Sequence, residues 1–180
     1  MKATGIVRRI DELGRVVIPK EIRRTQRIRQ GDALEIFTAG DGQVVFKKYS
    51  PLVELGQLSG VYAEVLAKNL GRPVLVCDRD AIVAATGTGK SQQMGRSISE
   101  GVSRLLAMRT LYLAPDQPSR RLNAFERGEG VLLCAAPIVA HGDIEGGVLL
   151  TGSEHDAVPN AESARAVSIA AAFLARWMEE

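Results

Sequence analysis

Three groups of residues in this chain could do chemistry. The first is a run of basic side chains, Lys2, Arg8, Arg9, Arg15, Lys20, Arg23, Arg24, Arg27, Arg29, Lys47 and Lys48, all within the first fifty positions. An arginine presents a planar fork that meets a phosphate, or the O6/N7 edge of guanine, with two parallel bonds, so clustered arginines suit a nucleic acid. The second is Ala84-Ala-Thr-Gly-Thr-Gly-Lys-Ser91, close to a phosphate-cradling P-loop. The third is the set Cys77, Cys134, His141 and His155, side chains able to act as thiolates or metal ligands.

The second and third groups are weaker than they look. A P-loop needs glycine at its first position for the tight turn, where Ala84 stands. It also belongs to a parallel sheet with strand-helix-strand crossovers. A P-loop-like nucleotide-binding enzyme acting through Ala84 to Ser91 is therefore the alternative reading, and the leading expectation is a chain that is not an enzyme. The cysteines and histidines are separated by 57, 7 and 14 residues, which is no finger spacing. Both cysteines sit inside apolar strand-like runs, Val-Leu-Val-Cys77 and Val-Leu-Leu-Cys134, and have no flanking base to lower a thiol pKa. The expectation is no catalytic residue, no metal, no cofactor and no disulfide.

The basic group gains weight from its segregation. Residues 1–50 hold eleven Lys and Arg against six Asp and Glu, a balance of +5, whereas residues 51–180 hold twelve against fifteen, −3. Two domains with different partners are implied. Ser50-Pro51 marks the junction, because proline turns the residue before it away from helix. No apolar run approaches the length of a membrane span, and no apolar leader core follows Met1, so a cytoplasmic, nucleoid-associated protein with no membrane partner is expected.

The elements that must position the arginines are short. Ile6–Ile10 alternates as a strand, Asp11-Glu-Leu-Gly-Arg15 reads as a turn, and Val16–Ile18 is a second strand. Pro19 suits a helix start, and Lys20–Thr25 supplies one or two turns. Leu34–Thr38 and Val44–Lys48 form a hairpin about Ala39-Gly-Asp-Gly42. So small a unit hides too little apolar surface by itself, and with no metal or disulfide to help, pairing with a second copy is the remaining route.

Met1 to Thr25, with a match running on to Lys47-Lys48-Tyr49, resembles the AbrB-type swapped-hairpin transition-state regulators. The resemblance implies two chains that interleave hairpins into one barrel-like dimer, with Arg8, Arg15, Arg23 and Arg24 gripping double-stranded DNA. Lys2, Arg9 and Lys20 are further possible contacts. The segment's aromatics, Phe37, Phe46 and Tyr49, sit at positions suited to a core, so stacking platforms for single strands are missing and duplex is favoured.

Beyond the junction the pattern predicts a helix over Leu52–Leu70 with apolar residues at 55, 58, 62 and 65. Strands follow at Val74–Cys77 and Ala81–Ala85, a helix at Ile98–Met108, strands at Gly130–Ala140 and Gly146–Gly152, and a helix from about Pro159 to Met178. The result is an α+β chain, a swapped-hairpin β-barrel dimer followed by an antiparallel sheet flanked by helices. The last helix carries two apolar stripes, Val167, Ala171, Leu174 and Met178 on one side and Ile169, Phe173 and Trp177 on another. The first stripe, with Leu55, Leu58 and Tyr62 of the first helix, is the expected oligomerisation surface, giving a homotetramer.

This second part resembles the GAF domain that follows an AbrB-type domain in sporulation regulators. The likeness is clearest at Val76–Asp80, Ser97–Glu100, Pro137–Ala140 and Phe173–Arg176, and least at 110–130. It implies a regulator of forespore genes, activator of some and repressor of others, whose GAF domain oligomerises or senses a small molecule. No Asn-Lys-Phe-Asp-Glu signature of cyclic-nucleotide GAF domains is present, so any GAF ligand is unknown.

Overall fold

The computed structural model describes residues 4–87, 89–127 and 130–180, which divide into two compact units, Met1–Tyr49 and Ser50–Glu180.

In the first unit, chain direction reverses at Asp11–Arg15. The Asp11 amide donates to the Arg15 carbonyl (3.1 Å) and Gly14 N donates to the Asp11 carbonyl (3.0 Å), with Gly14 at φ +76°, a conformation that glycine adopts without a Cβ penalty. The arms on either side were expected as strands, Ile6–Ile10 and Val16–Ile18; among the described residues they form no ladder. The reason is visible in their exposure. Val7 is 83% exposed, Ile10 69% and Val17 71%, so a single chain offers these apolar rows nothing to pack against.

Helix α1 (Lys20–Thr25) follows the buried Pro19. It ends in a Schellman arrangement: Ile28 N donates to the Arg23 carbonyl and Arg27 N to that of Arg24, with Arg27 itself left-handed at φ +53°. Strands β1 (Leu34–Ala39) and β2 (Gln43–Lys48) pair antiparallel in the register Leu34–Lys48, Ile36–Phe46, Thr38–Val44. Asp41 and Gly42, both at positive φ, make the reversal. Phe37, Phe46 and Tyr49 are exposed, contrary to the expectation of a core, because the hairpin's faces are uncovered in one chain.

The second unit begins with α2 (Pro51–Glu54) and α3 (Gly56–Leu70), two helices where one was expected, broken at Leu55. Gly71, left-handed at φ +64°, terminates α3. Next come β3 (Val74–Asp78), β4 (Ile82–Ala85), the short α4 (Lys90–Gln93), α5 (Glu100–Ala107), β5 (Tyr112–Leu113), β6 (Val131–Ala140), β7 (Asp143–Gly152) and α6 (Ala161–Met178). Both long later helices have side-chain N-caps: Ser99 accepts from Val102 N and Asn160 from Ser163 N. All pairings in the sheet, ordered β4-β3-β7-β6-β5, are antiparallel.

The sheet buries both faces. On one, Val74, Val76, Ala136, Ile138, Val148 and Leu150 pack against α3 and α6. On the other, Leu75, Cys77, Ala135 and Leu149 meet Val102 and Leu106 of α5, together with Ile98 and Phe125. The inward positions of α3 are Ser59, Ala63 and Leu66, while Leu58 and Tyr62 lie half-buried at its edge and Val65 is exposed. The predicted stripe is thus turned about the helix axis, because small residues on the true inner face let α3 lie close to the sheet. Among the described residues no helix is long and apolar enough to cross a membrane.

Candidate nucleic-acid interface

The turn, α1 and the arms between them place the four arginines singled out by the sequence. Arg8 lies on the first arm, exposed, with Nη1 donating to the Val7 carbonyl (3.1 Å). Arg15 closes the turn, and its Nε donates to the Asp11 carboxylate at 2.7 Å. Arg23 and Arg24 occupy the last turn of α1, exposed and without an ion pair among the described residues. Arg9 and Lys20 are exposed too, whereas Lys2 lies outside the described residues. The fixed parts of this set are the Arg15 turn and the α1 pair. Five exposed guanidiniums within seventeen positions, Arg9 included, give a field that attracts a polyanion.

Two residues here have roles that composition alone does not reveal. Asp11 organises the turn: Oδ1 accepts from Leu13 N (3.0 Å) and Arg15 N (2.8 Å) while Oδ2 accepts from Arg15 Nε. These donors hold its carboxyl below the usual carboxylate range, with the Arg15 backbone bond the largest cause and the Arg15 side chain next. The i, i+4 spacing of Asp11 and Arg15 was the available signal. Lys48, by contrast, is structural. Its Nζ lies 3.1 Å from Asp32 Oδ2 and donates to the Arg27 carbonyl (3.0 Å), while Asp32, its side chain only 3% exposed, also accepts from Arg29 N (2.8 Å). Lys47 sits over the Phe37 ring, 4.6 Å from its centroid.

The decoy groups resolve differently. Ala84 and Ala85 belong to β4, antiparallel to β3, and the buried Thr86 hydroxyl accepts from Val74 N (2.8 Å) and donates to the Val74 carbonyl (2.9 Å). Lys90 Nζ pairs with Glu64 at 3.2 Å, and Thr88 lies outside the described residues. These are fittings of a hairpin end and not a phosphate cradle. Both cysteines are buried and free; burial raises the thiol pKa of each, that of Cys134 to about 11.

The expected oligomerisation stripe needs correction. Val167, Ala171 and Leu174 are buried against the sheet in the single chain, with Met178 packed at the edge of that core. They cover their own sheet because their spacing follows the axis of α6 where it crosses β6 and β7. Leu55, Leu58 and Tyr62 are half-buried, the last two against the same core. The exposed apolar residues are instead Val61 and Val65 of α3 and Ile169 and Trp177 of α6. Tyr62 stacks on Phe173 between them, ring centroids 4.9 Å apart.

Residues 54–179 match the family model described as stage V sporulation protein T C-terminal, transcription factor. The chain belongs to the stage V sporulation protein T family. Stage V sporulation protein T of Bacillus subtilis (strain 168) is 49% identical over 181 residues, all of both chains. Residues 7–52 match a second model, antidote-toxin recognition MazE, bacterial antitoxin. The N-terminal DNA recognition domain of AbrB from Bacillus subtilis is 61% identical, spanning 28% of this chain and 94% of that one, with a TM-score of 0.25. For the second unit, the GAF domain of an Acinetobacter phosphoenolpyruvate-protein phosphotransferase superposes with a TM-score of 0.58 at 12% identity, covering 73% of this chain and 84% of that one. At so low an identity the superposition shows the fold alone, that of a GAF domain. As a member of the stage V sporulation protein T family, the chain is a sporulation transcription factor with an AbrB-like N-terminal unit, 61% identical over 51 residues to the transition state regulatory protein AbrB of Bacillus subtilis (strain 168), ahead of a unit with the GAF fold, and not an enzyme.

Proposed function

We propose that this chain regulates sporulation genes by binding duplex DNA through Arg8, Arg15, Arg23 and Arg24, in a dimer whose N-terminal units complete each other's core. The observation that carries the reading is one stretch, residues 6–24, in which exposed apolar rows alternate with exposed arginines. Apolar side chains such as Val7, Ile10 and Val17 cost free energy in water and are satisfied by a second copy of the same arms. Pairing also doubles the arginine set about a two-fold axis, which suits a roughly dyadic site.

A second interface is carried by Val61, Val65, Ile169 and Trp177, an apolar patch on two packed helices of the GAF unit. Two self-complementary interfaces joining different chains close a tetramer with two DNA-binding heads. Action on forespore genes, as activator of some and repressor of others, is part of this proposal, and membership of a family of sporulation transcription factors supports it.

Titration of a labelled duplex at several salt concentrations tests the DNA reading. Log affinity should fall with log salt at a slope of about −0.9 per phosphate neutralised, and replacing all four arginines by alanine should flatten it. The wild-type slope in the four-fold variant would remove these arginines from the interface. Stronger binding of single strands than of duplex would instead favour stacking on the exposed Phe37, Phe46 and Tyr49.

A further inference from the structure

We infer that Asp11 is a positioning residue for DNA binding, aiming the Arg15 guanidinium; this rests on the proposal that Arg15 contacts DNA. Asp11 is an acid in the middle of a basic surface, between Arg8, Arg9 and Arg15 in sequence. By charge alone it opposes a polyanion. Its geometry gives it another use. One carboxylate oxygen takes the Leu13 and Arg15 amides and so closes the turn; the other takes Arg15 Nε at 2.7 Å and, among the described residues, nothing else. The two jobs are separate by atom.

The consequence lies in which donors remain. An arginine has five N–H donors, and its Nε edge is here occupied, leaving the terminal Nη pair for the ligand. The Arg15 side chain makes no other hydrogen bond among the described residues and is 71% exposed. The Nη pair is the end-on fork that meets a phosphate or the O6/N7 edge of guanine. A free arginine loses rotamer entropy on docking, whereas Arg15 is already held at the turn by two bonds to one carboxylate, one from its amide and one from Nε. Asp11 thereby exchanges an unfavourable net charge for a pre-set fork, twice over in a dimer.

Asparagine separates the two roles. In Asp11→Asn the amide oxygen still accepts from the Leu13 and Arg15 amides, so the turn stays closed, but the amide nitrogen is a donor facing Arg15 Nε and the clasp is lost. Simple charge removal predicts tighter DNA binding; loss of positioning predicts weaker binding. The test measures affinity of the full-length chain for a labelled duplex at low salt in four proteins: wild type, Asp11→Asn, Arg15→Ala and the double variant, each checked for an unchanged thermal midpoint. The expected result is a loss of roughly threefold to tenfold for Asp11→Asn in the wild-type background, with no loss, or a gain, when Arg15 is already alanine. Tighter or unchanged binding by Asp11→Asn, or an equal loss in both backgrounds, would overturn the inference. Wild-type affinity in Arg15→Ala would instead overturn the DNA contact beneath it.

Discussion

Single residues in this chain divide by whether their charge is tied. Lys48 and Lys47 are adjacent and chemically alike, but Lys48 answers an almost buried Asp32 and Lys47 rests on an exposed ring. Lys48→Ala should therefore cost the N-terminal unit about 1–3 kcal/mol, the range for removing the charged partner of a nearly buried carboxylate that keeps only its amide donor from Arg29 among the bonds described above, and Lys47→Ala under about 1 kcal/mol. Denaturant titration followed by amide protection in residues 20–48 would show the difference; equal losses would contradict it. The cysteines make a second prediction. Because only the thiolate attacks and burial raises both thiol pKa values, native protein at pH 8 should resist iodoacetamide, and both thiols should react once it is unfolded. Native labelling of either would refute the core assignment. Asp11 completes the set. Its folded-state pKa lies below the usual carboxylate value, so the Asp11–Arg15 clasp is fully present at neutral pH and is lost only as pH falls through that depressed value. DNA affinity should be flat between about pH 6 and 8 on this account. What the sequence hid at this scale was partnership at a distance: Asp11 and Arg15 are four apart and readable, but Lys48 meets the Arg27 carbonyl across twenty-one positions.

Elements were legible wherever period and punctuation agreed. The β1–β2 hairpin, the β3–β4 pair and α6 lie close to where alternation, Asp-Gly and helical spacing put them, since their signals are local. Three features were not legible. The arms around Asp11–Arg15 alternate like strands but have no ladder in one chain, because a strand is defined by its neighbour. Helix α3 turns Ser59 and Ala63 inward, where close approach to the sheet outweighs bulk hydrophobicity. The two-residue β5 is too short to carry a period. Gly146 shows how tightly the sheet's centre is drawn. A Cβ there would land on the Cys77 carbonyl oxygen of β3 and lie 2.6 Å from Leu52 Cδ1. Gly146→Ala should destabilise the GAF unit by about 3 kcal/mol or more, seen as a lower thermal midpoint, with the N-terminal transition unmoved. An unchanged midpoint would show that β3 and β7 yield more easily than a backbone contact permits.

At the scale of the whole molecule, the proposed function depends on assembly. The structure assigns α6 two opposite fates along its length: Val167, Ala171 and Leu174 hold the fold, while Ile169 and Trp177 face out. Val167→Glu should unfold the GAF unit, whereas Ile169→Glu with Trp177→Glu should leave it folded and convert a tetramer to a dimer, read by light scattering. A folded Val167→Glu dimer would reverse that assignment. The most direct test concerns the N-terminal unit, whose exposed apolar arms and exposed arginines are the basis of the DNA reading. Sedimentation of residues 1–51, alone and with a labelled duplex, should give a folded dimer at micromolar concentration and two chains on each bound duplex. A well-folded monomer at that concentration, or one chain per duplex, would contradict it.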